Sequence, residues 1–224
     1  MKTFFITATG TGVGKTYVVA ALAAALSDQG RSVRVLKPVI SGFDDKTPED
    51  SDTAKLLHGL GNLLTAEAID ACSPWRFLEP LSPDMAARRE GRSINFSALV
   101  DFCRGAQTGD EDVLLIEGIG GAMVPLDDTH TVLDWMAELA APALVMAGSY
   151  LGTLSHTLTT VGALQERDIP IAGVVVDESE DNPAPLGETL DTMARFLAGV
   201  NLVSLARGAD QVAIFAAIKR IIGE

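Results

Sequence analysis

Short apolar runs alternate along this chain with longer stretches whose apolar residues recur at helical spacing. Thr3 to Ala8 is an apolar run that breaks into glycines, and behind it Tyr17 to Leu26 reads as a buried helix stopping near Gly30. Ser32 to Leu36 predicts a short strand and Asp112 to Glu117 a fully buried one; Ala143 to Ala147, Ile171 to Val176 and Leu202 to Leu205 predict three more. Helices are expected from Asp52 to about Gly59, from Ser82 to Glu90, and over Phe96 to Ala106 with Asn95 or Ser97 as cap. Further helical patterns cover Thr131 to Leu139, Thr153 to about Arg167, Gly187 to Leu197 and Asp210 to Ile222. The acid-rich Phe43 to Ser51, the stretch Cys72 to Pro83 with Pro74, Pro80 and Pro83, and Asp181 to Pro185 read as irregular loops, the first of them mobile. Strands alternating with helices, with no repeat or low-complexity linker, imply one α/β domain over residues 1–224: a mostly parallel sheet with helices on both faces.

Composition narrows the partners. A net charge of −13 with only six lysines argues against a broad nucleic-acid or anionic-membrane surface, since both rely on clustered Lys and Arg. No apolar run approaches the ~18 residues of a membrane span, and the apolar N-terminal run is shorter than the ~7–15 residues of a secretory core. A cytoplasmic protein is expected. The C-terminal apolar run from Val212 to Ile222, with Lys219 and Arg220 at its tip, reads as core packing. Cys72 and Cys103 show neither a CxxC nor a ligand spacing, and His58, His130 and His156 show no metal spacing.

The chemistry is concentrated in Thr9-Gly10-Thr11-Gly12-Val13-Gly14-Lys15-Thr16. Glycines let successive backbone N–H groups turn inward onto an anion, and the following helix adds its positive end. Lys15 supplies a charge for the outer phosphates, and the Thr16 hydroxyl can ligate Mg²⁺. The strict pattern has glycine where this chain has Thr9, so the loop is a deviant phosphate loop in a P-loop NTPase fold. Glu117, at the tip of a buried strand and followed by Gly118-Ile119-Gly120-Gly121, is a second metal partner in such a fold. Lys37, just past a strand end, reads either as a solvated loop cation or as a ligand contact. Asp52 reads either as a helix N-terminal carboxylate stabilised by the dipole or as a metal ligand.

Taken together, the phosphate loop, Lys37-Pro38-Val39-Ile40-Ser41-Gly42, Ser51-Asp52, Pro80-Leu81-Ser82-Pro83, Glu117-Gly118-Ile119-Gly120-Gly121 and the helix-opening Leu151-Gly152-Thr153-Leu154-Ser155-His156 resemble the dethiobiotin synthetase family in order and approximate spacing. The resemblance implies Mg²⁺- and ATP-dependent ring closure of 7,8-diaminopelargonic acid with CO2, through a carbamate and a carbamic-phosphoric anhydride. It implies catalytic roles for Lys15 and Lys37, and nucleotide contacts from Gly12, Val13, Gly14, Lys15, Thr16, Asp52, Glu117, Gly118, Ile119, Gly120 and Asp177. Metal ligation would fall to Thr16, Asp52 and Glu117, and substrate contacts to Thr11, Ser41, Gly152 and Thr153. The last two would be offered across a homodimer interface. The chain departs from the family at Ala8, Ser155 and the Val203-Ser204-Leu205 segment, and it has Asp177 where the family often carries an adenine-reading asparagine. The rival class is a partition or cell-division-site switch ATPase. Such proteins carry a second lysine at about the position of Gly10, together with basic or amphipathic docking surfaces, and this chain has neither.

Overall fold

The computed structural model describes residues 1–180 and 184–223. From the N-terminus, β1 (Lys2–Ala8) runs through the glycine loop into α1 (Lys15–Asp28), and β2 (Val33–Leu36) and β3 (Val39–Ser41) follow. α2 (Asp52–Gly59) and α3 (Ala66–Cys72) lead to β4 (Trp75–Phe77), and α4 (Pro83–Arg89) and α5 (Phe96–Ala106) precede β5 (Val113–Glu117). The remainder alternates as α6 (Val132–Leu139), β6 (Ala143–Gly148), α7 (Thr153–Glu166), β7 (Ile171–Asp177), α8 (Leu186–Phe196), β8 (Leu202–Leu205) and α9 (Gln211–Ile218).

Six strands pair in the order β2-β5-β1-β6-β7-β8, every neighbour parallel. Alternate residues of each central strand serve opposite faces, as the period of two requires. Phe4 and Ile6 of β1, with Leu115 of β5 and Met146 of β6, pack against Val18, Leu22, Leu26 and Ile214. Phe5, Leu114, Ile116 and Val145 meet Leu99, Trp135, Met136 and Leu164 on the other face. Phe5 and Trp135 meet edge to face with ring centroids 4.8 Å apart. The C-terminal apolar run contributes Ile214, Ile218 and Ile222 to the first of these layers.

Three expectations change. Lys37 to Gly42 is not a free loop past a strand end: Val39–Ser41 forms β3, paired in parallel with Trp75–Phe77 in a separate two-stranded sheet. That pairing also places a strand inside the stretch Cys72 to Pro83. Strands of three residues carry no usable periodicity, and their pairing is decided by contact between segments far apart in sequence. α3, capped by the Thr65 hydroxyl on the Ala68 N–H, was not expected at all, being short and bordered by polar residues. Residues 181–183 of the loop expected at Asp181 to Pro185 lie outside the described residues.

The central place of β1 fixes where ligands can bind. β1 lies between β5 and β6, so its loop emerges at the C-terminal edge in the middle of the sheet, where parallel α/β proteins bind ligands. Ile6 stands opposite Glu117 in the β1–β5 ladder, which brings that carboxylate under the loop.

Candidate active site

The glycine loop turns through left-handed backbone at Gly12 (φ 75°) and Gly14 (φ 80°), a conformation that side chains with Cβ resist. Gly14 is also the N-cap of α1, and no side chain caps that helix. Its first N–H groups are therefore open to an anion held by the loop. Lys15 is buried, and its Nζ donates to the Gly10 carbonyl at 3.1 Å. Burial, and then the neighbouring Lys37, lower its pKa to about 8.

Next to it lies a buried charge cluster drawn from three separate elements. The Lys37 ammonium, at the end of β2, donates to Glu117 Oε1 and pairs with Asp52 Oδ2 at 3.3 Å. Thr16 Oγ1 donates to the same Glu117 oxygen at 2.7 Å. Burial opposes charge on Lys37, but Glu117 and then Asp52 outweigh it and hold the ammonium above the ordinary lysine value. Burial likewise opposes charge on Asp52, yet Lys37 and Lys55 keep that carboxyl below the ordinary aspartate value. Of the two readings of Lys37, the solvated cation is removed, because the side chain is 4% exposed. Asp52 is the acid of the first turn of α2, as its helix-carboxylate reading has it, although it is not the cap itself. Ser51 takes that position, accepting from the Ala54 N–H, which leaves Asp52 in the first turn and turned to Lys37.

A magnesium ion would require hard oxygen donors, and these residues fit one. Asp52 and Glu117 flank the same ammonium, Thr16 Oγ1 is bonded to Glu117, and among the described residues the buried Glu117 Oε2 has no hydrogen-bond partner. Among the described residues no three His, Cys, Asp or Glu side chains cluster as a metal site, so the shell would be completed by phosphate and water.

A cavity of about 740 Å³ opens beside this cluster. Thr11, Gly12, Gly14, Lys15, Thr16, Lys37, Ser41, Asp52, Glu117, Ile119 and Gly120 of the expected site line it. Val13 is buried under the loop, and Gly118 is packed so that a Cβ there would meet the Phe5 ring at 2.8 Å. Gly152 and Thr153 do not line the cavity. The Thr153 side chain is buried, with its hydroxyl donated to the Gly148 carbonyl, so within one chain it is unavailable to substrate. Asp177 also lies outside the lining, at the tip of β7, where a Cβ on Gly14 would come within 2.5 Å of its Oδ2. Burial pushes its carboxyl above the ordinary aspartate range, with Arg207 opposing. Tyr17 and the run Pro80 to Pro83 also line the cavity, and the sequence reading assigned neither to the site. The signal was present, as an aromatic residue directly after Gly-Lys-Thr and a proline-bracketed serine already singled out in the family pattern.

The chain is 46% identical over 198 residues to the ATP-dependent dethiobiotin synthetase of Acidiphilium cryptum, covering 88% of this chain and 89% of that protein. It belongs to the dethiobiotin synthetase family. A second synthetase, from Methylobacterium nodulans, is 44% identical over 213 residues, with 93% and 94% coverage. The family model described as an AAA domain matches residues 2–218. Among solved structures, the cell division protein MinD of Aquifex aeolicus superposes with a TM-score of 0.62 at 14% identity, covering all of this chain and 98% of that one. Cell division protein FtsY of Thermotoga maritima gives 0.56 at 15% identity, covering all of this chain and 69% of its own. At such identities these two likenesses establish the P-loop NTPase fold that dethiobiotin synthetases share with them and nothing of their roles.

Proposed function

We propose that the protein closes 7,8-diaminopelargonic acid and CO2 into dethiobiotin at the expense of ATP, acting as a carbon–nitrogen ligase of biotin synthesis in the cytoplasm. The observation that carries this reading is the convergence of Lys15, Thr16, Lys37, Asp52 and Glu117 on one cavity that Thr11 and Ser41 also line. Among the described residues no helix is long and apolar enough to cross a membrane.

In this reading one substrate amine takes up CO2 and loses a proton to become a carbamate. A carbamate oxygen attacks the γ-phosphorus as ADP leaves, and the second amine then attacks the carbonyl carbon, closing the ring and expelling phosphate. Such transfer depends on positioning and charge neutralisation more than on covalent help from the protein. The loop amides of Gly12 to Thr16 and the Lys15 ammonium hold the triphosphate. Lys37 neutralises charge on the carbamate and transferring oxygens. Thr11 and Ser41 orient the diamine. Magnesium, held by Thr16, Asp52 and Glu117, would draw charge from the phosphates when bound. Gly152 and Thr153 fit the scheme through backbone rather than through the Thr153 hydroxyl, which stays bound to Gly148 in either copy: the α7 N-terminus of a second copy of the chain would receive the substrate carboxylate. Leu151, 87% exposed beside that turn, is consistent with a face covered in a homodimer.

Incubating the protein with 7,8-diaminopelargonic acid, bicarbonate and MgATP tests this reading directly. Mass spectrometry should find the cyclic urea together with ADP; ATP turnover without that product would overturn it.

A further inference from the structure

Tyr17 is the aromatic residue of the cavity, 50% exposed, and it directly follows Thr16 at the start of α1. Its hydroxyl donates to the Ala209 carbonyl at 2.7 Å, so the ring is braced between α1 and the turn that follows β8. The position of the ring relative to a bound triphosphate follows from the loop. Outer phosphates belong beside Lys15 and Thr16, with Lys37, Asp52 and Glu117 beyond them on the β5 and β2 side. The nucleoside must leave from the opposite end, over Gly14 and the first turn of α1, towards the tips of β7 and β8. Tyr17 and Asp177 flank that exit, the one tied to Ala209 and the other set against Gly14.

We propose that Tyr17 is the stacking platform for the nucleotide base, and that the enzyme gains base affinity from ring contact that is blind to base identity. The inference rests on the nucleotide-binding part of the function proposed above and is independent of the diamine. A half-exposed phenol presents a π-face to any base, and its tether to Ala209 limits the freedom lost when a base stacks on it. The bland alternative is that Tyr17 only ties α1 to the β8–α9 turn through its hydroxyl.

Calorimetric titration of wild type, Tyr17→Phe and Tyr17→Ala with ATP, GTP, CTP, UTP and inorganic tripolyphosphate separates the two. The expected result is that Tyr17→Ala weakens all four nucleotides by about 5- to 150-fold, the usual range for loss of one base–aromatic stack, while tripolyphosphate binds as in wild type. Tyr17→Phe, which keeps the ring and loses the tether, should stay within about threefold of wild type for every ligand, well inside that stacking range. Equal loss of nucleotide and tripolyphosphate affinity in Tyr17→Ala, or unchanged nucleotide affinity, would overturn the proposal. So would a Tyr17→Phe variant as weak as Tyr17→Ala, which would assign the effect to the tether. Unaltered tripolyphosphate binding doubles as the check that the alanine variant is folded. Dethiobiotin formation is not read in this experiment, so its outcome stands apart from the fate of the diamine.

Discussion

Glu117 holds the Lys37 ammonium on Oε1 and leaves Oε2 buried without a hydrogen-bond partner among the described residues. The two residues come from neighbouring parallel strands, β5 and the end of β2, and both are shielded from solvent. An ion pair so placed is weak evidence for stability, because desolvating both charges offsets most of their attraction. Its better explanation is functional: a fixed cation beside an acid with a free oxygen is preorganised to meet phosphate and metal.

Lys37→Ala should lower kcat by roughly 10²–10³, the usual loss for one charge-stabilising donor, while ATP affinity changes little. The asymmetry follows from the proposed roles, in which Lys37 would answer charge that develops during transfer while Lys15 and the loop would hold the ground-state triphosphate. Steady-state kinetics beside equilibrium ATP binding checks it. Near-normal turnover in the variant would remove the catalytic role.

Glu117→Ala leaves the Lys37 charge buried with only the half-exposed Asp52 as partner. Breaking such a pair from one side costs about 3–5 kcal/mol. Urea denaturation of the nucleotide-free protein should show a loss of that order. Adding MgATP should stabilise wild type more than the variant if Glu117 holds the metal as proposed. An unchanged denaturation midpoint would mean that the cluster contributes nothing structural.

Lys15 titrates near the range in which the enzyme would be assayed. Its folded pKa of about 8 lies below the 10.5 of an unperturbed lysine, so above about pH 8 the empty site holds a neutral amine. The unfolded chain stays protonated up to the higher value, so this group's contribution to stability rises with pH between the two. Phosphate binding has the opposite sign: a bound triphosphate restores the charge, binding takes up a proton, and affinity falls as pH rises past about 8. The limiting slope is about tenfold per pH unit. Titrations of metal-free ATP across this range should show it in wild type and not in Lys15→Ala.

Where the chemistry depends on local pattern, it was legible in the sequence. The loop is glycine geometry followed by Lys15 and Thr16, and Glu117 ends a buried run, so neither needs information from elsewhere in the chain. What was not legible depends on segments meeting across the fold. The β3–β4 pairing joins two three-residue strands from either side of α2 and α3. Ser51 displaces Asp52 from the cap by one position, and only the sheet order reveals that Asp52 then faces Lys37. Thr153 falls silent within one chain because its hydroxyl is taken by Gly148.

Leu151→Asp should separate the two copies if α7 completes the neighbouring site. A charge placed on a face that is covered in the dimer costs its desolvation without gaining a partner. Light scattering should then report a monomer, with ATP affinity retained and 7,8-diaminopelargonic acid affinity reduced. A wild-type protein that is monomeric and fully active would remove the shared-site reading.

Asp177 should loosen the choice of nucleotide. Asparagine offers a base both a donor and an acceptor, whereas an ionised aspartate only accepts. Adenine presents a mixed edge, guanine an edge with two donors and cytosine an amino donor, so Asp177 suits the last two better. The carboxylate lies beside the start of α1, where a Cβ on Gly14 would come within 2.5 Å of its Oδ2. Burial pushes its carboxyl above the ordinary aspartate range, with Arg207 opposing. A bidentate base contact is worth ~1–3 kcal/mol, and at the low end of that range GTP or CTP should be used within roughly tenfold of ATP. Stacking on Tyr17 would act in the same direction, because it is indifferent to the edge. The measurement is kcat/KM for the three nucleotides in wild type and Asp177→Asn, with the substitution expected to restore a preference for ATP. Strong ATP preference in both proteins, unaltered by the change, would show that backbone groups read the base and that Asp177 does not.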